Sequence, residues 1–264
     1  MRHLRAAAAV LTAVVAALSG TTATAAGTGS ATHYAALGDS YSSGTGTRDY
    51  LPDSGRCMRG TSAYPQLWAR SHDVDEFAFD ACAGATTDDL VANQLDDLDR
   101  NTTLVTMTIG GNDVGFAQVI RHCLLTDDAG CAARVEHGED RARDELPAKL
   151  DRAFHAVADK APNAKIVVLG YPHLNEPGAC DVPGYTAAKR ARINRGADLL
   201  DRVVAEHARA AGMRFVDTRD QFAGHGVCGD QPWINGPTLP LSESFHPNVG
   251  GHALGFLPAL DAVT

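Results

Sequence analysis

Four short stretches of the chain gather nucleophilic, basic and small residues at a density that ordinary loops do not need. They are Gly38-Asp39-Ser40-Tyr41-Ser42-Ser43-Gly44, Asp80-Ala81-Cys82-Ala83-Gly84-Ala85-Thr86, Gly110-Gly111-Asn112-Asp113 and Glu243-Ser244-Phe245-His246-Pro247-Asn248. Ser40 is a candidate nucleophile and His246 a candidate base for it. The Asn112 amide can donate to an oxyanion without changing charge, and Gly84, having no Cβ, lets its N–H approach a substrate oxygen closely. Taken singly, each has an ordinary reading: a strand-end turn for Ser40 and Asn112, a loop glycine for Gly84, a surface or capping histidine for His246. Together they make the parts list of serine acyl transfer.

Such parts work only if the fold brings them together, and the pattern between them predicts one that does. Short apolar runs occur at 34–37, 77–79, 104–109, 166–169 and 215–216, the third and fourth of them rich in β-branched residues. Helical stripes separate them. The clearest joins Ile193, Ala197, Leu200, Val204, Ala208 and Ala211 along 186–211, and a second joins Leu146, Leu150, Phe154 and Val157, with Pro147 tolerable in a first turn. Strand-helix alternation implies an α/β fold with a parallel sheet covered on both faces. In such sheets ligands bind beyond the carboxyl ends of the strands, and three of the four stretches directly follow an apolar run. Ser40 is expected to open a helix, whose free N–H groups favour developing negative charge.

Composition narrows the class. Of 264 residues 44% are apolar, which excludes collagens and charge-rich disordered chains, and 32 acidic against 23 basic residues leave a net charge of −9. That field offers nothing to nucleic acid or an anionic membrane. Residues 1–25 read as a secretory signal: MRHLR is a basic head, Ala6 to Leu18 an apolar run, and Ala23-Thr24-Ala25 a small-x-small cleavage site. The run is too short and alanine-rich for a spanning helix. Apart from the low-complexity stretch 21–32, no repeat or linker divides the rest, so 26–264 reads as a single domain. Export makes the six cysteines a disulfide framework. Fifteen pairings are possible; the sequential one, Cys57 with Cys82, Cys123 with Cys131 and Cys180 with Cys228, closes short loops and is the one expected. Metal-ligand spacing is missing, His225 and Cys228 being the nearest approach to it.

The Gly-Asp-Ser block with Ser40, Gly84 in the second loop, the Gly-Gly-Asn-Asp block with Asn112 and the His-Pro pair at His246 resemble the four blocks of the SGNH (GDSL-type) hydrolases. The signal, the six cysteines and the Ser-Phe-His-Pro-Asn run are similar to the secreted actinomycete lipases and esterases within that family. The resemblance, spanning about Tyr34 to Pro258, implies a three-layer α/β/α sandwich on a five-stranded parallel sheet, flavodoxin-like, and an esterase with no metal and no organic cofactor. It assigns Ser40 as nucleophile, His246 as base, and the N–H groups of Ser40 and Gly84 with the Asn112 amide as the oxyanion hole. One position departs from the common pattern. Many members carry an aspartate three residues before the histidine, where this chain has Glu243; the secreted relatives instead orient the ring with a main-chain carbonyl, which points to that of Ser244, with the Glu243 carboxylate as alternative. The expected partner is a small-molecule or lipid ester, with no nucleic acid, no stable membrane insertion and a monomeric state. Lipid esters lead, with Phe116 and Phe245 either lining an acyl site or packing in the core. A carbohydrate acetyl esterase is the alternative, a non-catalytic secreted binding module a more distant one, and the dispersed acids argue against a glycosidase.

Overall fold

The five apolar runs form five strands. The computed structural model describes residues 31–264, in which β1 (His33–Gly38), β2 (Glu76–Phe79), β3 (Leu104–Thr108), β4 (Lys165–Leu169) and β5 (Arg214–Val216) make one sheet. The order is β2-β1-β3-β4-β5, with every pair parallel. Because β1 lies between β2 and β3, the chain leaves it toward one edge and later returns to build toward the other. That reversal opens a crevice at the carboxyl ends of β1 and β3.

Right-handed crossovers then decide which helix covers which face. α1 (Ser40–Ser43) and α2 (Tyr64–Ser71) follow β1, and α3 (Thr87–Asn93) follows β2. β3 leads into α4 (Phe116–Leu125), α5 (Asp128–Asp144) and α6 (Leu146–Lys160); α7 (Ala187–Ala210) joins β4 to β5, and a π-helical turn, Gly251–Phe256, runs into α8 (Leu257–Asp261). One layer packs α2 against α8, the other α3, α6 and α7, with α4 and α5 outside α7. The result is the three-layer α/β/α sandwich.

Both helical stripes read from the sequence are present. α6 buries Leu146, Leu150, Phe154 and Val157 with Pro147 in its first turn, and α7 buries Ile193, Leu200, Val204 and Ala208. Thr186 caps α7, its hydroxyl accepting from the Lys189 N–H at 3.2 Å. Ala197, on the same stripe, is only partly buried because it faces a cleft.

The cysteines are joined as Cys57–Cys82, Cys123–Cys131 and Cys180–Cys228. The first closes 25 residues and, on the chain-entropy account, stabilises by about 3–4 kcal/mol. Of the pair nearest to metal-ligand spacing, Cys228 is bonded to Cys180 and so offers no thiolate, and the His225 ring stacks on Trp233. The expected signal, 1–25, lies outside the described residues, among which no helix is long and apolar enough to cross a membrane.

Candidate active site

β1 delivers the first block. Gly38 has φ +112°, and a Cβ there would stand 2.3 Å from the Thr108 carbonyl oxygen of β3, so only glycine allows the strand to turn this closely. The Gln94 side chain closes on the same residue, accepting from its N–H at 2.7 Å and donating to its carbonyl at 2.9 Å. Asp39 then caps α1, accepting from the Tyr41 N–H at 3.0 Å, the Thr108 hydroxyl at 2.7 Å and the Tyr171 hydroxyl at 2.5 Å. Burial pushes its carboxyl up to about 6 against those three donors. Ser40 is the first residue of α1, so its N–H has no acceptor within the helix.

The second and third blocks are tied to each other. Asp113 accepts from the Thr87 N–H at 2.9 Å and its hydroxyl at 2.8 Å, with Lys149 at 3.4 Å, fixing the start of α3 to the loop after β3. The Asn112 amide donates to the Ala85 carbonyl at 3.0 Å, which sets its orientation and leaves its second N–H for a ligand. Gly84 has φ +83°, is exposed, and has no atom within 4 Å of where a Cβ would stand. The Cys57–Cys82 bridge anchors this loop, whose Ala83 N–H donates to the Cys57 carbonyl at 3.0 Å.

The last block arrives from the far end of the sequence. His246 Nε2 lies 2.8 Å from Ser40 Oγ, and Nδ1 lies 3.0 Å from the Ser244 carbonyl oxygen. A carbonyl only accepts, so Nδ1 carries the proton and the Nε2 lone pair faces the serine. Burial pushes the imidazole down to about 4; the Ser244 carbonyl and the Glu243 charge oppose this more weakly. Glu243, itself buried, turns away from the ring: it accepts from Arg48 Nε at 2.6 Å and from the Tyr50 hydroxyl at 2.9 Å. Its length, one methylene beyond aspartate, reaches the 46–50 loop instead of the histidine.

Two tyrosines that the sequence reading passed over join these segments. Tyr171 donates to Asp39 while its oxygen accepts from the Gly111 N–H at 3.0 Å, linking the Ser40 turn to the Asn112 loop. Tyr41 donates to the Phe245 carbonyl at 2.6 Å, linking α1 to the His246 segment. Tyr171 sits just beyond β4, so the strand-end rule applied to the fourth strand would have found it. Tyr41 has no comparable signal.

Ser40 and Asn112 open onto one cleft between the strand ends and helices α4, α5 and α7, walled by Val114, Phe116, Val135, Ile193 and Leu200. Gly84 stands on the neighbouring loop and is not part of that wall. Phe116 lines the cleft, but Phe245 does not: it is fully buried, with its ring against Tyr185. Its φ of +61° drives the side chain into the core while its neighbour His246 faces the serine.

The GDSL-like lipase/acylhydrolase family model matches residues 36–254. The chain belongs to this family. A lipase of Streptomyces rimosus is 44% identical over 89% of this chain and 87% of its own, and lipase 1 of Streptomyces coelicolor 43% identical over 96% and 94%. Among solved structures, an extracellular lipase from S. rimosus superposes with a TM-score of 0.87 at 44% identity, covering 89% of this chain and all of that one. Phospholipase A1 from Streptomyces albidoflavus gives 0.86 at 40% identity with the same coverage. The family's Gly-Asp-Ser block, at 38–40, is therefore the turn that carries the serine on which the histidine converges.

Proposed function

We propose that this family member is a secreted serine esterase that hydrolyses the acyl esters of lipids through an acyl-enzyme on Ser40. One observation carries the reading: Ser40 Oγ sits 2.8 Å from an imidazole nitrogen whose other nitrogen is pinned by a main-chain carbonyl. As the Ser40 oxygen attacks the ester carbonyl carbon, its proton passes to His246 Nε2 and the carbonyl oxygen becomes an oxyanion. The Ser40 N–H, the free Asn112 N–H and the Gly84 N–H are the donors for that charge. His246 then protonates the leaving alcohol, and a water activated by the same nitrogen cleaves the acyl-enzyme. The Ser244 carbonyl orients the imidazole throughout, without the full charge a carboxylate would lend.

Lipid esters are favoured over acetylated carbohydrate because the cleft that begins at Ser40 is walled by apolar side chains. Two mutant structures of one acetylxylan esterase from Geobacillus stearothermophilus share the fold at 20% and 19% identity, with TM-scores of 0.53 and 0.54, and that likeness extends to the fold alone. Export follows from the basic head, apolar run and cleavage site at 1–25 and from relatives that include an extracellular lipase. A fluorophosphonate probe should label the mature protein at Ser40, and Ser40→Ala should lose at least about 10⁴-fold in kcat with the fold intact. A correctly folded Ser40→Ala protein that still turns over nitrophenyl esters sinks the mechanism. Greatest activity on medium or long acyl esters, against acetylated xylan, supports the lipid reading.

A further inference from the structure

We propose that the ester's acyl chain, rather than its alcohol, enters the cleft between α5 and α7, and that Gly138 and Ala197 set the length of chain it accepts. This rests on the acyl-enzyme at Ser40. The cleft's lining includes two charged groups, Asp39 and Glu139, and both are already satisfied: Asp39 by its three donors, Glu139 by a two-pronged pair with Arg192. A glycerol or phosphate-bearing alcohol placed here would lose its hydration and, beyond the Asn112 N–H assigned to the oxyanion, find no free donor along the apolar wall. A hydrocarbon chain would find dispersion partners and nothing to desolvate.

The space exists because the two facing helices carry small residues where the cleft runs between them. Gly138 and Ala142 contribute from α5, Gly196 and Ala197 from α7. The two glycines differ in kind. A Cβ on Gly196 would come within 2.9 Å of Val135 Cγ1, so that glycine is needed for the helices to pack. Gly138 has no such requirement: a Cβ would meet the Val114 carbonyl oxygen at 3.4 Å and Val119 Cγ2 at 3.5 Å, ordinary contact distances, and both residues belong to the cleft wall. Glycine within a long helix is unfavourable relative to alanine. A methyl at 138 would therefore fit the fold, and what it would occupy is the cleft's own margin. Ala197 is only partly buried and borders the same space from the opposite helix.

The test uses Gly138→Ala and Ala197→Leu with nitrophenyl esters from acetyl to palmitoyl, each variant's Tm being measured alongside. Gly138→Ala should raise Tm by about 2–4 °C while lowering kcat/KM on decanoyl and longer esters. Ala197→Leu should lower long-chain kcat/KM by about tenfold or more, a typical size for steric change in an apolar pocket. Acetyl and butyryl esters should change less than about threefold in either. A loss shared equally by all chain lengths in a folded variant, or no change at any length, overturns the assignment of the cleft while leaving the Ser40 mechanism standing. Failure of the Ser40 mechanism shows separately, as turnover by Ser40→Ala.

Discussion

At the scale of single residues, the His246 segment separates two ways of holding an imidazole. The Glu243 carboxylate is spent on Arg48 and Tyr50, binding the segment that carries His246 to the 46–50 loop. Its contribution to catalysis should then be indirect. Glu243→Ala is expected to lose less than about tenfold in kcat, far from the ~10⁴ that loss of a ring-orienting carboxylate brings, while Tm falls because a buried partner is removed. A loss of 10³ or more with an unchanged Tm would return the carboxylate to the ring.

The imidazole's own titration gives a second prediction at this scale. His246 accepts a proton only when neutral, and burial lowers it to about 4. The rate should therefore hold from neutrality down to about pH 5 and fall with unit slope toward 4. From residue type alone, with a free imidazole near 6.5, the rise would begin near pH 6. Initial rates of kcat/KM on a soluble short-chain ester, taken before any unfolding, decide; an acid limb near 6.5 would mean the ring is solvated.

At the scale of elements, the strand ends and the loops after them were legible because their signals are local. Short apolar runs marked all five strands, β-branched in β3 and β4 and aromatic or alanine-rich in β1 and β2, and 3.6-residue spacing marked α6 and α7. α5 escaped because its sequence, Asp128–Asp144, is polar and alanine-rich, with small residues where an apolar stripe would show. Those small residues border the cleft, so the least readable helix is one of its walls. Ser40, Asn112 and His246 were legible as strand-end or segment motifs. The bonds that fix them were not, because Arg48 and Glu243 are 195 residues apart and Tyr171 and Asp39 132 apart, and no local pattern records such pairs. Tyr171 is the joint whose removal should show most. Tyr171→Phe keeps the ring but leaves Asp39 and the Gly111 N–H each short of a partner, costing about 1–3 kcal/mol of stability. We expect kcat to drop about 10- to 100-fold with KM within about twofold, since the Ser40 turn and the Asn112 loop would no longer share a brace. Equal kcat in a folded variant would reduce Tyr171 to a cleft wall.

For the molecule as a whole, proton uptake links the fold to pH. His252 is fully buried, its Nδ1 accepting from the Tyr64 N–H at 3.2 Å while Nε2 has no partner, and burial pushes it down to about 3. In the unfolded chain the same ring titrates near 6.5. Between those values the unfolded state binds more protons, so this group's contribution is complete above about 6.5 and is lost progressively as pH falls toward 3. Asp201 works in the opposite sense. Burial raises it to about 8, so the fold keeps a proton that the unfolded chain releases near 4, and its contribution declines as pH rises through that window. Comparing variants isolates one group from the other. His252→Gln should narrow the Tm difference from wild type as pH drops from 7 to 4, and a difference independent of pH would show that the ring is not held neutral.

The serine and its histidine stand 206 positions apart yet share one hydrogen bond. On the proposed function, the first half of the site is therefore synthesised early, as an alcohol no more reactive than any other serine. The ester chemistry proposed for it would begin only once the His246 segment has been made and docked, so a copy lacking that segment would leave acyl esters untouched.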